Sequence, residues 1–258
     1  MGSPFYRRPL RTAVLPLFLF AATAAGQASD GDTRVPRAPE KRNVAVSARA
    51  AAAYGRLPLV FVANAGQSDP RVRFLSRGPG YALLLTADEA VLKLNAGADK
   101  GQADVIRMRL AGAQAPASIV GEDIQGGTAN RFVGGDPSRW HRGITTFGKV
   151  RYRSVYPGVD AVYYGNQEQL EYDFELRPGI DPSIIRLRFD GARTIRIDRH
   201  GDLVLTAAGG EIRQPKPFVY QMIAGERRAV TSRYVMKGKR EIGFAIGDYN
   251  RALPLMIQ

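Results

Sequence analysis

Three carboxylates occupy alternate positions in the stretch QLEYDFEL, where Glu171, Asp173 and Glu175 are separated by apolar residues. Residues two apart on a β-strand lie on one face, roughly 6.6–7 Å from each other. That separation is close to the distance between acid and base in inverting glycosidases, which must leave room for a water molecule. The polar face of a half-buried strand has the same spacing, and arginines in KVRYR and IRLRF offer countercharges. We therefore favour a solvated or ion-paired face over an acidic ligand site or a catalytic pair.

A second candidate site lies in the segment 111–148, where glycines and polar residues show no regular periodicity. We expect this segment to be an irregular loop, and loops on a rigid scaffold are where ligand contacts collect. The predicted ligand-binding residues there are Asn130, Asp136, Trp140 and Arg142.

The only tryptophan allows two interpretations. With Tyr163 and Tyr164, Trp140 would line a platform on which a sugar stacks. Alternatively, Trp140 and Phe132 close one end of the fold as core residues, since large aromatic rings bury much apolar area. We favour the second interpretation.

The composition offers little to other kinds of chemistry. There is no cysteine, and the two histidines, His141 and His200, are far apart, so a transition-metal site has no evident ligand set. No calcium loop, no G-x-S-x-G elbow and no phosphate-binding GK[ST] loop occurs. The sequence predicts no metal, no cofactor and no catalytic residue, and therefore a protein that is not an enzyme.

The elements that must position these residues are predicted to be β-strands. From residue 59 onwards, short runs rich in β-branched and aromatic residues alternate with turn residues about every ten positions, which is typical of an all-β sandwich or barrel. In DVIRMRL, Ile106, Met108 and Leu110 alternate with Arg107 and Arg109, a period that no helix satisfies. We expect an all-β, antiparallel β-sandwich, or two abutting β lobes, with little helix.

Two local patterns support more detailed predictions. The stretch TIRIDRHGDLVLTAAGGEIRQ predicts a hairpin followed by a second turn and a third strand. The stretch PGIDPSII predicts a single helical turn, with Asp181 as its cap and Pro182 at its first position.

The chain is predicted to have three parts. Residues 1–28 combine a basic start, an apolar stretch and small residues, as in a secretory signal peptide; the apolar stretch is shorter than the roughly 20 residues that span a bilayer. Residues 29–57 mix Pro, Ala and charges and predict a flexible leader. Residues 58–258 are expected to form the β-sandwich domain or domains of an exported protein, located in the periplasm, at the cell surface or outside the cell.

The formal charge of +13 is distributed unevenly along the chain. Three arginines in residues 1–28 and an excess of three basic residues in 29–58 leave +7 for residues 59–258. Such an excess favours acidic partners such as anionic envelope polymers. Because the basic residues form no long runs, nucleic acid is not a predicted partner.

Several stretches together resemble one family. NRFVGGDPSRW, YPGVDAVYYGNQEQLEYDF and DLVLTAAGGEIRQPKPFVYQ are similar to the N-terminal domain of unknown function that precedes SBBP (β-propeller-type) repeats in bacterial secreted and cell-surface proteins. The resemblance covers about residues 57–257. It implies an exported, β-rich, non-catalytic part of a modular protein tied to adhesion or surface display. It supplies no established active site, so no residue roles carry over.

The sequence therefore predicts a non-catalytic exported module with a binding or scaffold role. Its expected partners are an extracellular protein or polysaccharide, including a β-propeller domain, and we expect no membrane span in the mature chain. The alternative is a glycan-active hydrolase or carbohydrate-binding module that uses the carboxylates of residues 171–175 or the loop 130–142.

Overall fold

The computed structural model of the chain describes residues 60–78, 81–94, 104–132, 135–137, 140–166, 169–207 and 210–258. All of these residues belong to one unit, Arg42–Gln258. The predicted signal peptide (1–28) and leader (29–57) lie outside the described residues. The boundaries of the three predicted parts therefore stay a prediction.

Within the described residues the chain forms eighteen β-strands, and every strand pair is antiparallel. In chain order the strands are β1 (Phe61–Ala63), β2 (Phe74–Gly78), β3 (Tyr81–Leu85), β4 (Glu89–Leu94), β5 (Asp104–Leu110), β6 (Ser118–Arg131), β7 (His141–Tyr156), β8 (Val159–Asn166), β9 (Gln169–Leu176), β10 (Arg186–Asp190), β11 (Thr194–Ile197), β12 (Leu203–Ala207), β13 (Gly210–Gln214), β14 (Val219–Ile223), β15 (Glu226–Val230), β16 (Ser232–Met236), β17 (Glu241–Ile246) and β18 (Leu255–Ile257). The predicted all-β, antiparallel fold with little helix is confirmed.

A 3-10 turn spans Pro182–Ile184. Asp181 caps it by accepting a hydrogen bond from the backbone N–H of Ser183 at 2.9 Å, and Pro182 lies at its start. This turn is the one predicted from sequence. In the described part of the chain, no helix has the length and apolar character needed to cross a bilayer.

Fifteen of the described strands form one sheet that folds over on itself. Its hydrogen-bonded order is β15-β14-β18-β9-β8-β7-β1-β2-β3-β4-β5-β10-β17-β16, and β6 pairs with β7. Strands far apart in this order nevertheless touch. The ring of Phe174 in β9 lies 6.1 Å from that of Phe244 in β17, and the hydroxyl of Tyr152 in β7 donates to the carbonyl of Thr86 after β3 at 2.7 Å. The two halves of the sheet therefore face each other as the layers of a sandwich.

Alternate residues of each layer fill the space between them. In β5, Ile106 and Met108 are buried while Arg107 and Arg109 are exposed, as the period-two pattern predicts. The strands β11, β12 and β13 pair in chain order, as their turn pattern predicts, and they form a separate three-stranded sheet. Leu203 and other buried residues of that sheet belong to the same hydrophobic cluster as the residues of the large sheet.

The prediction that residues 111–148 form an irregular loop is wrong. Most of the segment belongs to β6 and to the first half of β7, which pair as a long hairpin. The hairpin is irregular in another sense, because its register shifts between Ile124 and Thr128 and between Ala129 and Arg131. Asp123, in the left-handed region at φ 57°, lies beside the first shift. Such bulges bend a strand and twist it away from regular pairing.

Candidate functional site

The three alternating carboxylates lie on the outer face of β9, as predicted. In the register of the sheet, Glu175 lies opposite Asp160 of β8, and Glu171 lies opposite Tyr164. The opposite face of the strand enters the core, where Phe174 is 1% exposed. The three carboxylates are partly rather than fully exposed to solvent, because polar side chains of neighbouring strands cover them.

Arg151 of β7 is the centre of the first polar cluster on this face. Its guanidinium binds Glu175 bidentately, with Nη1 and Nη2 donating to the carboxylate at 2.6 and 3.1 Å. Its Nε donates to Glu122 of β6 at 2.7 Å, and Asp160 lies 3.5 Å from Nη1. The hydrogen bond to Glu175 is the main reason that the pKa of Arg151 is raised. One cation thereby joins three carboxylates from three strands.

Asp173 belongs to a second cluster, built on a tyrosine and an amide. The hydroxyl of Tyr164 donates to Oδ1 of Asp173 at 2.8 Å, and the amide of Gln258 donates to Oδ2 at 3.2 Å. Burial raises the pKa of Asp173; the two hydrogen bonds oppose this effect, and the charges of Glu171 and Glu175 add to it. Burial and the charge of Asp173 also raise the pKa of Tyr164, so its hydroxyl remains a donor at neutral pH.

Of the two arginine-rich strands predicted to supply countercharges to the acids of β9, one does so and the other does not. Arg151, from KVRYR, does pair with an acid of β9. The arginines of IRLRF, Arg186 and Arg188, pair instead with Glu241 and Asp190 of the other layer. The sequence also gave no indication of Gln258, which lies 85 residues from Asp173 in the chain.

Within the described part of the chain, neither histidine belongs to a group that could hold a metal ion. Among the residues that the structure describes, no cluster of three or more His, Asp and Glu side chains has a geometry suited to a metal ion. His141 lies against the backbone of Gly66. The side chain of His200 accepts a hydrogen bond from the neighbouring Arg199 at 3.2 Å.

The predicted ligand residues collect at the end of the β6–β7 hairpin. The rings of Phe132 and Trp140 meet edge to face, with centroids 5.2 Å apart. The guanidinium of Arg142 lies over both rings, 5.5 Å from the first centroid and 5.2 Å from the second. We call these three residues the hairpin-tip cluster. Cation–π contacts of this kind contribute about 0.5–1 kcal/mol at exposed sites, so they hold the arginine in place.

The favoured interpretation of Phe132 and Trp140 as core residues is wrong. Phe132 is 58% exposed, and Trp140 is half-buried outside the hydrophobic core cluster. Tyr163 does not belong to a platform with Trp140, because it is buried between the rings of Tyr152 and Tyr172. The apolar rings at the tip are therefore available at the surface.

The other two predicted residues differ in their positions. Asn130 supports the hairpin, because its side-chain oxygen accepts a hydrogen bond from the backbone N–H of Gly143 at 2.9 Å. Asp136 is exposed in the connection between β6 and β7. Among the residues that the structure describes, the Nε atom of Arg131, the last residue of β6, is buried and has no hydrogen-bond partner, which is unusual for a buried donor.

Comparison with known proteins gives a family and no site. A family model described as a domain of unknown function (DUF7948) matches residues 61–258. Neither the curated proteins nor the solved structures include a match to the chain.

Proposed function

The chain belongs to this family of domains of unknown function, and from that premise we propose that it is a non-catalytic binding module that contacts its partner through the hairpin-tip cluster. The observation that carries the proposal is the exposure of Phe132 beside Trp140, with Arg142 held over both rings. A protein gains no core stability from such rings, and exposed aromatic and arginine side chains are the residue types that dominate binding energy at interfaces.

The chemistry of the tip suits a glycan. Aromatic faces stack on the apolar faces of sugar rings, and the guanidinium supplies hydrogen-bond donors directed to solvent. The hairpin is held by the pairing of β6 with β7 and by the bond between Asn130 and Gly143, so the tip is ordered before the partner arrives.

We also propose that the module acts outside the cytoplasm. The predicted signal peptide and the resemblance to domains that precede SBBP repeats support this location, and they make surface display or adhesion the expected setting. A β-propeller domain is then a further candidate partner within the same class of protein.

The test is a binding screen with variants of the tip. Wild-type protein is incubated with peptidoglycan sacculi and chitin oligosaccharides in about 0.5 M NaCl, where charge attraction is largely screened. We expect binding to at least one glycan, and a loss of at least about tenfold in affinity in Trp140→Ala and Arg142→Ala.

Ile124→Ala is the matched control, since Ile124 is on the same hairpin and is 72% exposed. It removes an exposed apolar side chain away from the cluster and should bind as wild type does. Absence of binding to every glycan, or an equal loss in the control, contradicts the proposal.

A second candidate function is supported by one observation. Asp173 is a carboxyl group whose burial raises its pKa, and it lies between two other carboxylates on one strand face. A raised pKa is what a general acid in glycoside hydrolysis requires. If the protein is a hydrolase of this kind, Asp173→Asn and Glu175→Gln abolish turnover of some polysaccharide. The engagement of Asp173 by Tyr164 and Gln258, and of Glu175 by Arg151, favours the binding module instead.

A further inference from the structure

A second surface, on the other layer of the sandwich, carries an ordered array of arginines. In the register of the sheet, Glu89 of β4 lies opposite Arg109 of β5, which lies opposite Arg188 of β10, which lies opposite Glu241 of β17. Directly opposed residues in antiparallel strands share a face. This row is therefore continuous across four strands on the side away from the core.

Ion pairs join the first two strands of this surface. Glu89 accepts from Arg109, whose Nη2 lies 2.8 Å from the carboxylate, and it also pairs with Arg107. The carboxylate is the deeper partner. The side chain of Glu89 is 11% exposed, whereas those of Arg107 and Arg109 are 44% and 45% exposed.

The next two strands repeat the arrangement. Asp190 lies 3.4 Å from Arg188 and 3.8 Å from Arg240, and Glu241 lies 3.8 Å from Arg186. Here too the acids are deeper, with side-chain exposures of 29% and 25%, against 46–47% for the three arginines. The carboxylates thus hold the guanidinium groups from below and leave the outward N–H groups to solvent.

The balance of charge on this surface is positive. Lys237 lies across β17, since a Cβ placed on Gly243 would come within 3.0 Å of its side chain. Lys93 lies on the same face of β4 and is exposed. With it, Lys237 and the five arginines, seven cations lie over three carboxylates. We call this surface the arginine face; its cations are Lys93, Arg107, Arg109, Arg186, Arg188, Lys237 and Arg240.

We propose that the arginine face binds a linear carboxylated polysaccharide. Guanidinium groups repeat roughly every 7 Å along β5 and β10 and about every 5 Å between strands, so an extended polymer would meet several of them at once. Each guanidinium has a planar fork of donors that matches a carboxylate. The described residues on this face of β4, β5, β10 and β17 include no aromatic side chain, whereas binding of single-stranded nucleic acid relies on aromatic stacking.

This inference rests on the proposed role as a binding module but concerns a surface separate from the hairpin tip. The test measures binding of the full chain to polygalacturonate in about 0.05 M and about 0.5 M NaCl, with dextran and double-stranded DNA as comparison polymers. We expect polygalacturonate to bind at low salt and to be released at high salt, and dextran to bind at neither. In Arg186→Gln/Arg188→Gln the affinity at low salt should fall about tenfold, because two exposed charge contacts are lost.

The matched control is Arg196→Gln/Arg228→Gln, which removes the same charge from two exposed ion pairs on β11 and β15. It should lower the affinity by no more than about twofold. Urea denaturation of each variant establishes that it is folded. Should Arg186→Gln/Arg188→Gln not fold, Arg186→Lys/Arg188→Lys is used, which keeps the charge, loses the fork and should bind with intermediate affinity.

Three results would overturn the inference. The first is no binding of polygalacturonate by the wild type. The second is an equal loss in the control variant, since binding would then depend on net charge alone. The third is DNA binding as tight as that of polygalacturonate with the same dependence on Arg186 and Arg188. A loss in Trp140→Ala at 0.5 M NaCl concerns the tip alone, so the two proposals fail separately.

Discussion

Replacing Arg151 tests whether the carboxylates of β9 are structural partners. The arginine donates three charge-assisted hydrogen bonds, at 2.6 and 3.1 Å to Glu175 and at 2.7 Å to Glu122, and its side chain is 18% exposed. Removing one partner of a buried ion pair costs about 3–5 kcal/mol. Because Glu122 and Glu175 are 31% and 37% exposed, water offsets part of that cost. We expect Arg151→Met to lower the free energy of unfolding by about 2–3 kcal/mol.

The assay is urea denaturation at pH 7. Arg153→Met is the control, since Arg153 is exposed two residues further along β7; it should change the free energy of unfolding by less than about 0.5 kcal/mol. A loss of less than about 1 kcal/mol in Arg151→Met, typical of a surface pair, would refute the reasoning.

Two further predictions concern a turn and a buried acid. Gly191→Ala should lower the free energy of unfolding by about 3 kcal/mol or more, because Gly191 has φ +90° and an added Cβ would lie 1.9 Å from the carbonyl oxygen of Val105. The control is Gly225→Ala, at φ +82° in open space, which should lower the free energy of unfolding by only about 1 kcal/mol. Equal losses of the two variants in urea denaturation would contradict the steric account. The pKa of Asp173 is raised in the folded state. Its contribution to stability is therefore present at a pH below its pKa in the unfolded chain, and it is lost as the pH rises through its pKa in the folded protein. Asp173→Asn should therefore flatten this part of the stability-versus-pH curve. An unchanged curve would show that burial does not control the pKa of Asp173.

The strand pattern could be predicted because it is local. In β5 and β9 every second residue is apolar, and one core-facing side is enough to fix which residues turn inward. The capped turn before β10 was predictable for the same reason, since Asp181 and Pro182 act within a few residues of each other. Local patterns therefore gave the fold class and the orientation of the acids.

The long hairpin could not be predicted from the same kind of pattern. The distal part of β6 contains Gly126 and Gly127, a register shift and an apolar side chain, Ile124, that faces solvent. Its residues therefore do not alternate between core and water. The exposure of Phe132 was missed for a related reason, because an aromatic residue in an isolated sequence is assigned to the core by default.

The partners within the polar clusters also lay beyond sequence reasoning. Arg151 meets acids from three other strands, and the Asp173 cluster depends on Gln258, which is distant in the chain. Such contacts depend on strand order, and the order places β18 between β9 and β14. The spacing of residues within one strand does not specify the order of the strands in the sheet.

The most direct test of a binding module without catalysis follows the length of a bound polysaccharide. Wild-type protein is incubated for a day with each glycan that it binds, and the chain length of the glycan is then measured by size-exclusion chromatography. We expect retention of the glycan by the protein and no shortening of its chains. Shortening by wild type that disappears in Asp173→Asn would contradict the account and establish the carboxylates of β9 as catalytic.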